Sequence, residues 1–125
     1  MDMLVSASEE PLSLTAADID RLVEAALSNR RFPPKVRAML MNDYGAYQFN
    51  IVHDSQKAIS LTVAAAAEDP GNAYFEVNLT RIALALGQTD VAVRHLQAAQ
   101  DLDKAGYYGK DIGDLRAQLA QQGNH

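Results

Sequence analysis

Three histidines, His53, His95 and His125, stand far apart in the chain, and none has a metal-binding residue type three or four positions away. A helical metal site needs such a neighbour, because only residues one turn apart converge on one ion. His53 is followed directly by Asp54, a pair expected to form a turn and a helix cap. The carboxylate pairs Asp18/Asp20, Asp101/Asp103 and Asp111/Asp114 could in principle do acid–base or metal work. Residues two apart, as in the first two pairs, leave a helix in different directions; Asp111 and Asp114 are three apart, and helix-start charge and solvated faces account for all these acids. Ser13, Ser28, Ser55 and Ser60 lack the strand–turn–helix setting of an activated nucleophile, and no Gly-rich loop follows a strand to cradle phosphate. No catalytic residue, cofactor site or metal site is therefore expected, and the chain reads as a non-enzyme.

Composition narrows the classes further. A chain of 125 residues is the size of one domain and can bury roughly two-thirds of its unfolded surface. It is 48% hydrophobic and 22% charged, with 6% aromatics and Ala-rich stretches, a balance that suits closely packed helices. The net charge of -5, without a clustered Lys/Arg stripe, disfavours nucleic acid as a partner. Cysteine is absent, which rules out disulfides and thiolate metal sites but leaves the compartment open. Met1 to Val5 lacks a basic start and an apolar run, so it is not expected to act as a signal peptide. No stretch approaches the ~20 apolar residues of a membrane span, and direct membrane insertion is not expected.

The elements that would carry side chains into position are helices. Residues 1–13 have no periodicity and read as a flexible lead-in, followed by a single helical domain over 14–121 and a polar tail over 122–125. Thr15 is a suitable N-cap, with Asp18 three residues on, for a helix that would bury Ile19, Leu22, Val23, Ala26 and Leu27. Asn29 and Pro33-Pro34 end it. A second helix is expected from Lys35 to about Val52, with Val36, Met39, Leu40, Tyr44, Tyr47 and Ile51 on its apolar face. A third runs from Ser55 to Glu68 and stops at Asp69-Pro70-Gly71-Asn72, and a fourth runs from Ala73 to Leu86 and stops at Gly87. The fifth spans Thr89 to Leu102 with Thr89 as its N-cap. The sixth spans about Lys110 to Gln121 and would bury Ile112, Leu115 and Leu119.

A repeat organises these helices. A shift of 34 residues lays Ala58-Ile59 on Ala92-Val93, Thr62 on Leu96, Ala65 on Ala99 and Pro70 on Lys104. The same shift pairs Ala46 with Thr80, Phe49 with Ala83 and His53 with Gly87, so one period covers a helix–turn–helix unit. Asn78-Leu79, Gly87, Ala92, Leu96, Ala99 and Asp101-Leu102-Asp103 resemble the tetratricopeptide-repeat family over about residues 39–104. The first unit departs from that pattern, with Ala46 where a Gly is usual and His53 where the turn Gly belongs. The resemblance implies an all-α, right-handed helical stack of about two helix–turn–helix pairs, flanked by capping helices that hide its ends.

In that family ligands usually lie along the inner groove formed by the first helix of each pair. By position, the resemblance puts Asp43, Tyr47 and Asn50 from one unit and Tyr74, Asn78 and Arg81 from the next in a partner-binding groove. Their mix of aromatic area and hydrogen-bonding groups suits peptide recognition. The family's carboxylate clamp is not reproduced, and a basic or neutral polar partner fits the net charge better. The expected function is a protein–protein interaction module that binds a peptide, a partner domain or another copy of itself. An edge patch of Tyr107, Tyr108, Leu115 and Leu119 would serve self-association. Leu14 to Leu27, Asn42-Asp43-Tyr44-Gly45 and Asp101 to Tyr107 also resemble C-terminal repeat domains of bacterial membrane proteins that polymerise or transfer surface glycans. That alternative implies a non-catalytic accessory domain of a larger enzyme.

Overall fold

The structure, a computed structural model, describes residues 15–123; the lead-in expected at 1–13 and the last tail residues, 124 and 125, lie outside them. Among the described residues the chain is all-α. Its helices are α1 (Ala16–Leu27), α2 (Pro34–Tyr47), α3 (Ser55–Glu68), α4 (Ala73–Ala85), α5 (Thr89–Leu102) and α6 (Gly109–Gly123), and a π-helical turn over Gln48–Val52 continues α2.

Local chemistry places most of the ends. The Thr15 hydroxyl accepts from the Asp18 N–H at 3.1 Å while the Asp18 carboxylate accepts from the Thr15 N–H at 3.1 Å, closing a capping box. The Thr15 backbone N–H, with its hydroxyl adding to the effect, holds the Asp18 carboxyl below its ordinary value. Its support of α1 is therefore present at neutral pH and is lost as the pH falls through that lowered value. Pro34 begins α2, where its missing N–H costs nothing. Asp54 caps α3 through the Lys57 N–H at 3.0 Å, and Asn72 caps α4 through the Tyr74 N–H at 3.0 Å. Thr89 is not the cap expected of it. Only one residue separates Gly87 from α5, so Gln88 takes the cap position without a side-chain bond and Thr89 becomes the first helical residue.

The helices pack as two hairpins, α2 with α3 and α4 with α5, and α3 lies against α4 to join them. One core cluster gathers Ala38, Met41, Ala65 and Phe75; the other gathers Val77, Ala83, Leu84, Ala92, Leu96, Ala99, Ile112 and Leu115. α1 covers α2 at one end, and α6 covers α5 and part of α4 at the other. Leu115 is buried and Leu119 is partly buried against the second cluster, so the expected edge patch is not assembled; Tyr107 alone of that set is strongly exposed. α6 also reaches Gly123, which makes Gln122 a helical residue that donates to the Leu84 carbonyl at 3.3 Å.

The apolar faces expected for α1 and α2 hold only in part. Leu22, Val36, Met39 and Ile51 are exposed. α2 instead buries Ala38, Met41, Asn42, Tyr44 and Gly45, and Gln48 is buried just beyond it. Ala38, Asn42, Gly45 and Gln48 make most of that face small or polar, and it is chosen by close approach and hydrogen bonding rather than by hydrophobicity. A Cβ built on Gly45 would lie 2.9 Å from the Thr62 hydroxyl and 3.2 Å from the Ala58 carbonyl oxygen, so α2 and α3 touch backbone to backbone there. Asp20 of α1 ties the same region together. It accepts from the Tyr44 hydroxyl, from Gln48 at 3.4 Å and from Lys57 at 3.5 Å, and the Lys57 ammonium lies 5.0 Å from the Tyr44 ring centre.

The two hairpins repeat one burial pattern with a one-residue slip. From His53 onward the 34-residue register holds: His53 and Gly87 both turn the chain in left-handed conformation, at φ 65° and 72°, and Ala58, Thr62 and Ala65 are buried like Ala92, Leu96 and Ala99. Before the π turn a 35-residue register fits better, pairing buried Ala38 with Ala73, Asn42 with Val77, Tyr44 with Leu79, Gly45 with Thr80 and Gln48 with Ala83. The turn hydrogen bonds locate the extra residue. The Gln88 N–H reaches back to the Ala83 carbonyl at 2.8 Å, and the Asp54 N–H reaches one residue further, to the Gln48 carbonyl, also at 2.8 Å. A π turn absorbs one inserted residue while the helix on either side stays intact. The Ala46–Thr80 pairing is thereby replaced by Gly45–Thr80, and the close-approach glycine is present after all, one position earlier.

Two outcomes test this packing. Gly45→Ala should destabilise the fold by about 1–3 kcal/mol through overpacking, against the usual helix preference for Ala. Gly113→Ala in α6, where an added Cβ meets nothing within 4 Å, should instead stabilise by up to ~1 kcal/mol. Urea unfolding followed by circular dichroism reads both signs, and a Gly45→Ala variant as stable as the parent would refute the close crossing. Deleting exposed Ile51 should convert the π turn to α-helix and leave cooperative unfolding, whereas deleting Ala85 in α4 should abolish it; equal damage from both would mean that no residue is inserted.

Candidate functional site

The repeated hairpins set α2 and α4 side by side, joined by a side-chain hydrogen bond from Asn78 to Asn42 at 2.8 Å. Between them lies a hollow of about 230 Å³ lined by Asn42, Ala46, Phe49, Asn50, Thr62, Tyr74, Asn78, Arg81 and Ile82. On the far side of Arg81 a second, shallower hollow lies between α4 and α6, lined by Arg81, Leu84, Ala85, Leu115, Gln118 and Gln122. Arg81 therefore stands between two adjoining depressions on one face of the molecule.

A chain of polar contacts crosses this face. Arg81 donates to the Asn78 carbonyl oxygen at 3.1 Å, Asn78 donates to Asn42 at 2.8 Å, and Asn42 donates to Asp43 at 3.4 Å. A second nitrogen of Arg81 pairs with Asp111 of α6 at 3.1 Å. The ends dictate the middle: a guanidinium can only donate and a carboxylate can only accept, so both asparagine amides have one permitted orientation. Asn42 is 1% exposed, yet no buried side-chain nitrogen or oxygen among the described residues lacks a partner. Tyr74 is held in place by stacking on Tyr108, ring centres 5.8 Å apart.

Of the residues placed in a groove by resemblance, Asn50, Tyr74, Asn78 and Arg81 line the first hollow. Asp43 and Tyr47 do not line it. Asp43 is exposed beside Asn42, and Tyr47 stacks on Tyr44 with ring centres 6.4 Å apart. Their places are taken by Asn42 and Ala46, one residue earlier in each case. The π turn over Gln48–Val52 puts the residues before it one position out of the 34-residue register, and Asn50, inside that turn, lines the hollow. Phe49 also lines the hollow. Gly45 was the available signal, since the family's close-approach glycine belongs one position later.

The histidines are dispersed. His53 forms the left-handed turn before α3, His95 makes a 2.7 Å contact with Glu76 between α5 and α4, and His125 lies outside the described residues. Among the described residues no group of three or more His, Asp or Glu side chains could hold a metal ion, and no helix is long and apolar enough to cross a membrane. Asp103 spends its carboxylate on the turn before α6, accepting from the N–H groups of Tyr107 at 3.0 Å and Tyr108 at 2.9 Å.

Comparison with protein-family models, with curated proteins and with solved structures finds no match to the chain. The fold and the hollow thus define the class only as an all-helical protein with a polar and aromatic groove.

Asn78→Ala removes the donor to a buried amide and should cost about 1–3 kcal/mol, the penalty of an unsatisfied polar group. Chemical unfolding beside Asn78→Ala/Asn42→Ala measures the coupling. Additive losses in the two positions would show that the contact is not a structural bond.

Proposed function

We propose that the chain is a non-catalytic tetratricopeptide-like module, a right-handed stack of two helix pairs flanked by α1 and α6, that binds an extended polypeptide of a partner protein in the groove between α2 and α4. The observation that carries this reading is the hollow itself. Tyr74 and Phe49 offer apolar area, and Asn50, Asn78 and Arg81 stand beside them with hydrogen-bonding groups, those of Asn78 and Arg81 already oriented by their neighbours. A peptide main chain presents alternating donors and acceptors, and side-chain amides can satisfy either kind.

Preorganisation strengthens the case. Asn78 is fixed by Asn42 and Arg81, Tyr74 by Tyr108, and Arg81 by Asp111, so few rotamers remain to be frozen on binding. Aromatic and Arg positions are also where interface energy concentrates. The family resemblance supports the same reading through the repeated close-packed alanines and the two left-handed turns at His53 and Gly87.

Affinity capture with the wild-type chain beside Tyr74→Ala/Arg81→Ala tests the proposal, once equal helicity and stability are established. A partner held by wild type should be lost by at least about tenfold in the variant, since each position is expected to be worth more than ~1 kcal/mol. Undiminished capture by the variant would move binding to another surface.

A further inference from the structure

The geometry points to a Lys- or Arg-bearing segment as the occupant of this groove, an inference that rests on the groove reading above. The polar chain across the face begins and ends on carboxylates, Asp43 just outside the hollow beside the lining residue Asn42, and Asp111 on α6. Arg81, the cation between them, already meets Asp111 at 3.1 Å and Asn78 at 3.1 Å. Asp43 is exposed and pairs with no cation among the described residues. The three charged groups therefore leave one uncompensated negative charge at the groove, on a chain whose net charge is -5.

An acidic segment would meet an Arg81 already paired with Asp111 and would be repelled by both Asp111 and Asp43. A basic segment can pair with Asp43 without breaking any existing contact, and the long-range field of the chain draws it in. The apolar requirement sits beside the charge. Met39 lies one helical turn before Asp43 on the same face of α2 and is exposed, so an aliphatic stem or an apolar residue next to the cation finds cover there. The occupant is accordingly an extended segment in which Lys or Arg neighbours an apolar residue.

An array of random octapeptides, blocked at both ends and probed with the full chain, tests this directly. The groove-dependent peptides are those bound by wild type and lost by Asn50→Trp, in which an exposed lining residue becomes large enough to fill the hollow; Tyr74→Ala serves if that variant is unstable. Lys and Arg should be enriched among them, Asp and Glu depleted, and Asp43→Lys should weaken the strongest of them by about tenfold or more, with wild-type binding falling as salt rises. Groove-dependent peptides that show no charge preference, favour acids or ignore Asp43→Lys would overturn the basic occupant and leave the groove reading standing. An array with no groove-dependent peptide would overturn both.

Discussion

Close approach of paired helices constrains this fold: the inner faces of α3 and α5 each set alanines on either side of one larger buried residue, Thr62 or Leu96. Ala58, Ala65, Ala92 and Ala99 have no exposed surface at all, and opposite Ala58 the facing helix has given up even its Cβ, at Gly45. Helices that meet through such residues lie near the short end of the 8–10 Å range, where backbone packing leaves little freedom of rotation or sliding. Everything else is arranged around that spacing. Phe75 joins Ala38, Met41 and Ala65 across the two hairpins, Leu84, Leu96, Ile112 and Leu115 pack in the cluster shared by α4, α5 and α6, and α2 and α4 are left beside each other without filling the space between them.

That space is shaped by polar groups as much as by apolar ones. A hydrophobic pair could have joined α2 to α4, but Asn42 and Asn78 do so with a hydrogen bond that continues to Arg81 and Asp111. A buried amide chain has one satisfied arrangement, so it fixes the relative height of three helices more narrowly than apolar contact would. The π turn borders that space, where Phe49 and Asn50 line it. By absorbing one residue it turns Phe49 and Asn50 toward the hollow while the preceding turns of α2 keep Ala38, Met41 and Gly45 in the core. The wall of the hollow is therefore also the joint between the hairpins.

Helix positions were legible in the residues because their signals are local. Thr15 with Asp18, Pro33-Pro34, His53-Asp54, Pro70-Gly71-Asn72 and Gly87 each act through bonds or torsions within a few positions, and each marks a boundary that the structure keeps. The inner face of α6 was legible for a similar reason, since Ile112, Leu115 and Leu119 recur at helical spacing, and the structure buries the first two and partly buries the third. Of the six positions that the resemblance placed in a groove, Asn50, Tyr74, Asn78 and Arg81 line the hollow, and Asp43 and Tyr47 lie outside it.

The sequence by itself determined the all-helical class, the order and ends of the helices, and the close-packed alanines. Only the tertiary structure decided which face of α2 turns inward and where the register slips. Gly45, Asn42 and Gln48 carry no hydrophobic signature; they are buried because α3, α4 and α1 supply a facing backbone and hydrogen-bond partners that lie far away in the chain. Val36, Met39 and Ile51 look like core residues and are exposed because that inner position was already occupied. A one-residue insertion is likewise invisible in a chain read alone, since whether it becomes a π turn depends on the packing that must stay in register on both sides of it.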